Sequence, residues 1–209
     1  MPEADDSLLE PAPAWPGVYR PTVAEADAYE RMIGRLRGFL DDLAAAKLDP
    51  ETLQALTRDL TAWSGRLSEQ AVDEDQRMFG RLGSRFGRGQ TMSAPIAEVE
   101  APAGEFRGTV RFGEYFSGPG RAVTGVAVPG VVDEVLARAA IGPGGARART
   151  AYLHVNFRAL TPVGVDLDVH SWIEREEGRK VYIRGEIRHG EVVCVDGEAL
   201  LIRLRPEQG

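Results

Sequence analysis

Residues 124–157 read TGVAVPGVVDEVLARAAIGPGGARARTAYLHVNF, and this stretch decides the fold. Its first part, Val126 to Ala140, is apolar on nearly every side. Val131, Val132, Val135 and Leu136 surround one acidic pair, Asp133-Glu134. A helix with so little polar surface has to be enclosed by other structure. The loop Gly142-Pro143-Gly144-Gly145 stops it, because Gly and Pro break helical continuation. The second part opens a long strand candidate, Ala148 to Leu160.

Working outward, the segment Phe106–Phe112 alternates as a strand does, and three further strand candidates follow at Val165–Glu176, Lys180–Arg188 and Val192–Leu204. The breaks at Thr161-Pro162-Val163-Gly164, Glu177-Gly178 and His189-Gly190 predict antiparallel hairpins. The order is one strand, one strongly apolar helix, then four strands. The economical arrangement is an α+β fold in which a long antiparallel sheet wraps around a central helix.

The chain ahead of this region has another character. Residues 1–21 carry Pro2, Pro11, Pro13, Pro16 and Pro21, which predicts an extended arm that Trp15 and Tyr19 pin onto the body. Residues 22–88 read as helical. Thr22 with Glu25 three positions on forms a capping box. Ala28, Met32, Leu36, Phe39, Leu40 and Leu43 recur near helical spacing. Asp49-Pro50 ends that helix, and Asp49 caps a second one with Leu53, Leu56, Leu60 and Trp63 on one face. Leu67, Val72, Met78, Phe79 and Leu82 predict a third helix over 66–86, and glycines loosen 87–95 into a linker. The expected division is therefore an arm (1–21), a helical extension and linker (22–95) and a sheet-and-helix domain (96–209).

Composition excludes several classes. The formal net charge of −7 argues against non-specific affinity for nucleic acid or an anionic membrane. The single cysteine, Cys194, has no internal disulfide partner, and its apolar neighbours Val192, Val193 and Val195 predict a buried thiol. One Cys and three scattered His (His154, His170, His189) match no familiar metal spacing. The N-terminal MPEADDSLLEPAPAWPG lacks a basic region and an apolar core, so it does not read as a signal peptide. No run approaches the ~18 apolar residues of a membrane span. The expected location is cytoplasmic.

An ordered set of motifs resembles the hotdog-fold acyl-CoA thioesterases of the phenylacetate-degradation type. Ser117-Gly118-Pro119-Gly120-Arg121 matches the approach loop, and Thr124-Gly125-Val126 stands where that family commonly has His-Gly-Gly at the start of the central helix. Asp133 falls at the family's carboxylate, Thr150 at the hydroxyl residue opening the next strand, and Gly178-Arg179-Lys180 at the later hairpin. The resemblance covers about half the chain. It implies a hotdog fold with an N-terminal helical extension, a homodimer or tetramer, and hydrolysis of an acyl-CoA thioester to a free acid and CoA without a cofactor.

The resemblance also implies roles. Asp133 is the nucleophile or the general base. The Gly125 backbone N–H polarises the thioester carbonyl. Thr150 orients the carboxylate or the water. Thr124, Val126, Arg121, Arg179 and Lys180 contact substrate, the basic ones near the CoA phosphates, with Arg147 and Arg149 as further basic candidates. Thr124 is also suited to cap the central helix. Glu134, adjacent to Asp133, points about 100° away on a helix and reads as structural or as part of a dimer seam. Two other functions compete. The Thr124 and Val126 departures from His-Gly-Gly suit a non-catalytic acyl-CoA-binding or regulatory protein. A hotdog dehydratase or hydratase would need a histidine, and His154 and His170 follow the helix in the wrong order.

Overall fold

The computed structural model describes residues 19–80, 82, 89–141 and 148–205. Trp15, Arg147 and the loop Gly142-Pro143-Gly144-Gly145 lie outside them. Two helices come first, α1 (Val23–Ala45) and α2 (Pro50–Ser68). Two short strands follow, β1 (Ile96–Val99) and β2 (Glu105–Arg111). Then come the central helix α3 (Ala127–Ile141) and the strands β3 (Ala148–Phe157), β4 (Asp166–Glu177), β5 (Lys180–His189) and β6 (Val192–Arg203).

The six strands form one antiparallel sheet in the order β1-β2-β4-β5-β6-β3. The sheet wraps α3, as its apolar sequence requires. Val128, Val131, Val132, Val135 and Leu136 are all buried, and each such side chain stabilises the fold by about 1.5–3 kcal/mol. They rest on Val169, Val181, Ile183 and Leu201 of the sheet's inner face, all buried in the same core.

A glycine pair lets the helix lie that low. Gly185 of β5 and Gly197 of β6 face each other in register. A Cβ on Gly185 would stand 2.9 Å from Leu136 Cδ2, and one on Gly197 would stand 2.8 Å from Val132 Cγ1. Ser171, fully buried on β4, donates from Oγ to the Val135 carbonyl at 2.8 Å and ties the helix to the sheet. Cys194 is buried too, and burial pushes its thiol pKa up.

Several expectations need correction. The Thr161–Gly164 break is not a hairpin, because β3 pairs with β6 at the far edge while β4 pairs with β2 and β5. Residues 158–165 cross over the end of the sheet instead, with an Ala122–Pro162 bridge on the way. The other two breaks are two-residue hairpin loops, each with glycine at positive φ, Gly178 (59°) and Gly190 (56°). Among the described residues of 66–86 there is no third helix. The chain turns after Ser68 and forms a 3₁₀ turn at Glu74–Gln76, and residues 81 and 83–86 lie outside the described ones. Three consecutive acids, Asp73-Glu74-Asp75, disfavour a helix there, and Val72 and Phe79, each 50% exposed, have no core to pack on.

The caps of the extension form as read. Thr22 and Glu25 make the capping box, and Asp49 accepts from the Thr52 N–H at 2.8 Å. Tyr19 donates its hydroxyl to Glu25 and its N–H to the Asp75 carbonyl, at 2.8 and 2.7 Å. The docking face of α1 is not the stripe expected from spacing. Ala26 and Ile33 are buried, whereas Met32, Leu36 and Leu43 stay exposed. Polar contacts select this face. Arg37 donates to the Gln90 and Ser93 carbonyls, and the Asp41 carboxylate accepts the Tyr115 N–H at 2.9 Å. Gly113 leaves room for that carboxylate, since a Cβ there would lie 2.2 Å from its oxygens.

Candidate active site

Asp133 lies on the seventh residue of α3, half-buried, and Thr150 near the start of β3. The Thr150 hydroxyl donates to Asp133 Oδ1 at 2.8 Å. A β-bulge produces this contact. Thr150 stands opposite Leu201 and Tyr152 opposite Leu200, so Ala151 is an extra residue. In a regular strand Thr150 would share the face of Tyr152 and His154. The bulge instead puts it on the face of buried Leu201, toward the helix.

Glu134, next along, is 5% exposed and pairs with Arg138 one turn on, at 3.0 Å. Arg37 of α1 is close enough for Glu134 to favour its charged form, although burial acts first and lowers the guanidinium pKa. The ion-pair partner of Glu134 thus lies on its own helix, one turn along.

The Thr124-Gly125-Val126 segment occupies the other end of the helix. Thr124 N–H donates to the Phe116 carbonyl and Thr124 O accepts from Ala127 N–H, at 2.8 and 3.0 Å. The helix thus begins at Ala127, and Pro129 sits in its first turn, where a missing N–H costs nothing. Gly125 and Val126 are exposed, Val126 at 87%. Phe157, at the end of β3 and not singled out in the sequence, lies 3.8 Å from where a Gly125 Cβ would be. Its only signal was its place at the end of the quoted stretch.

Six residues separate Ala127 from Asp133, about 9 Å along the helix axis. Gly125, two residues before the helix, and Asp133 therefore lie at separate places along α3 within one chain. The basic candidates divide between the two ends. Arg121, exposed and the one described non-glycine residue at positive φ (59°), pairs with Glu114 at 2.9 Å beside the Gly125 end. Arg179 lies in the β4–β5 turn and Lys180 opens β5, both at the Asp133 end. Thr150, Leu201 and Val181 share one row across β3, β6 and β5, which puts Lys180 roughly 10 Å from Thr150. Arg179 donates to the Arg203 carbonyl at 3.2 Å. Arg149 is exposed on β3 beside Thr150.

His154 and His170 stand away from this site on the sheet's open face. His170 contacts Glu105 at 2.9 Å and packs beside Trp172, while His154 is mostly exposed. Among the described residues no cluster of His, Cys, Asp and Glu could hold a metal ion, and no helix is long and apolar enough to cross a membrane.

A sheet closed over one central helix is the hotdog fold, and solved structures of that class align with the chain. A crystal structure of a thioesterase superfamily protein matches at a TM-score of 0.70 and 25% identity, covering 83% of this chain and 94% of its own. That span reaches well beyond residues 96–209 into the helical extension. An uncharacterized protein from Pyrococcus horikoshii matches at a TM-score of 0.50 and 16% identity, over 58% of this chain and 92% of its own. A phenylacetic acid degradation-related protein from Ralstonia eutropha superposes more loosely, at 0.46 and 22% identity, over 52% and 83%. No protein-family model and no curated protein matches the chain. The chain is a hotdog-fold protein with an N-terminal helical region, and its structural neighbours are thioesterase superfamily proteins.

Proposed function

We propose that this protein is an acyl-CoA thioesterase that hydrolyses a thioester to a free carboxylic acid and CoA. The Thr150–Asp133 hydrogen bond carries the reading. It holds one oxygen of a half-buried carboxylate on a mostly apolar helix, and the other oxygen is the one that acts. Among the described residues Thr150 is the only side chain bonded to that carboxylate. Asp133 either attacks the thioester carbonyl carbon or removes a proton from a water that does. The Gly125 N–H, at the positive end of the helix, stabilises the oxyanion that forms.

The helix rises about 9 Å from Ala127 to Asp133 and Gly125 lies two residues before Ala127, which supports a site built from two chains. In a homodimer, Asp133 of one protomer meets Gly125 of its partner, and two such sites form. The long edge strand β3 suits the pairing. It ends the sheet and holds no proline, and Tyr152 and Phe157 are 44% and 54% exposed. Thr124, Val126 and Arg121 from one chain, with Arg179 and Lys180 from the other, then border one cleft. The three cations suit the CoA phosphates.

A thiol-release assay over a panel of acyl-CoA esters tests the assignment. Saturable CoA release from at least one ester is expected. Tight binding of the esters with no release from any would favour the non-catalytic reading.

A further inference from the structure

We propose that α2 packs its apolar stripe against a second copy of this chain, as an arm laid across the seam between protomers. The inference rests on the two-chain site described above. Leu53, Leu56, Leu60, Trp63 and Leu67 recur at intervals of three and four and so share one face of α2. Leu53, Leu60, Trp63 and Leu67 are 50–64% exposed, and no residue of α2 is buried. Among the described residues α2 packs extensively on no other element of its own chain. Most of a helix's stability in a protein comes from packing its amphipathic face rather than from propensity, and the Asp49 cap of α2 adds only about 1 kcal/mol. Among the described residues the stripe has no cover within the protomer, and a second copy would supply one.

Three observations make that partner a second copy. The first is continuity with the site. Asp41 near the end of α1 holds the Tyr115 N–H, and the next residue, Phe116, accepts from Thr124. Four residues separate Ala45 from the start of α2. The arm is thus rooted beside Thr124-Gly125, where the two-chain site places the partner protomer. The second is charge. The ionisable residues of α2 are Glu51, Arg58, Asp59 and Arg66, which cancel. A helix binding an anionic bilayer would carry a basic face instead, and Arg66 already lies over the Trp63 ring, 4.8 Å from its centre. The third is area. Stable interfaces bury about 800 Å² per partner. Pairing of the ten-residue β3 edges supplies part of this, and a helix-long stripe centred on a Trp supplies the kind of apolar contact that dominates such surfaces.

Sedimentation equilibrium on the full chain tests the proposal, with wild type beside the double variant Leu60→Glu/Leu67→Glu. Both sites are on the surface of the protomer, and thermal melting checks that the variant's body stays folded. The expected result is a wild-type dimer and a variant whose dimer dissociation constant rises at least ~100-fold. A variant dimer of unchanged affinity overturns the α2 contact, while loss of activity in Asp133→Ala would still support the thioesterase reading. A wild type that is a fully active monomer sinks the two-chain site and the arm together. If affinity is unchanged and only the wild type co-sediments with phosphatidylcholine vesicles, the stripe belongs to a bilayer and the proposal fails.

Discussion

The Thr150 hydroxyl donates to Asp133 Oδ1 at 2.8 Å across the gap between strand and helix, and the extra residue Ala151 turns it that way. If this bond orients the reacting carboxylate, Thr150→Val lowers kcat for CoA release by about 10–100-fold with little change in KM. Thr150→Ser, which keeps the hydroxyl, restores most of it. Equal activity in all three proteins would mean the bond is only structural.

Sharing of the site between protomers has a quantitative signature. Gly125→Pro removes the proposed oxyanion donor, and Asp133→Ala removes the carboxylate. Each homodimer is inactive. A mixed dimer holds one intact site, so re-associating an equal mixture restores about a quarter of wild-type activity. No recovery after verified subunit exchange would place both groups' work within one chain.

The close approach of α3 to the sheet depends on the glycine pair. Gly197→Ala puts a methyl carbon 2.8 Å from Val132 Cγ1. The overpacking should cost about 1–3 kcal/mol in chemical denaturation. An unchanged denaturation midpoint would show that the helix can ride higher without penalty.

Acid sensitivity should have one source on the open face of the sheet. The hydrogen bond to His170, and then that from Arg107, hold the Glu105 carboxyl below its ordinary range. A carboxyl depressed in the folded state stabilises above its unfolded pKa, and the gain is lost as pH falls through the folded value. Wild type should therefore lose more of its urea midpoint than Glu105→Gln between about pH 5 and pH 3. The position is exposed, so the difference is small. Parallel losses in the two proteins would exclude this contribution.

The sequence made some of this legible and hid the rest for physical reasons. The central helix could be read because its apolar residues cover every side, and strands β4 to β6 because long alternating runs are separated by glycine turns. β1 was missed because it is four residues long with one buried side chain, Ile96. The place of β3 at the sheet edge was also hidden. Hairpin logic pairs neighbours in sequence, whereas the enclosed helix separates β2 from β3 and leaves β3 to pair with β6. The face of α1 was misread because Arg37 and Asp41, which bond to backbone groups, choose it over the more apolar stripe. Asp133 and Thr150 were both read as site residues. That they touch depends on a bulge, which is defined only by the partner strand.

The most direct test of the account is kcat/KM for CoA release by Asp133→Asn and Asp133→Ala beside wild type, on the acyl-CoA ester that wild type turns over best. A fall of about 10²–10⁴-fold is expected in both variants, with folding and dimer mass unchanged. Full activity in both would mean that Asp133 is not the reacting carboxylate.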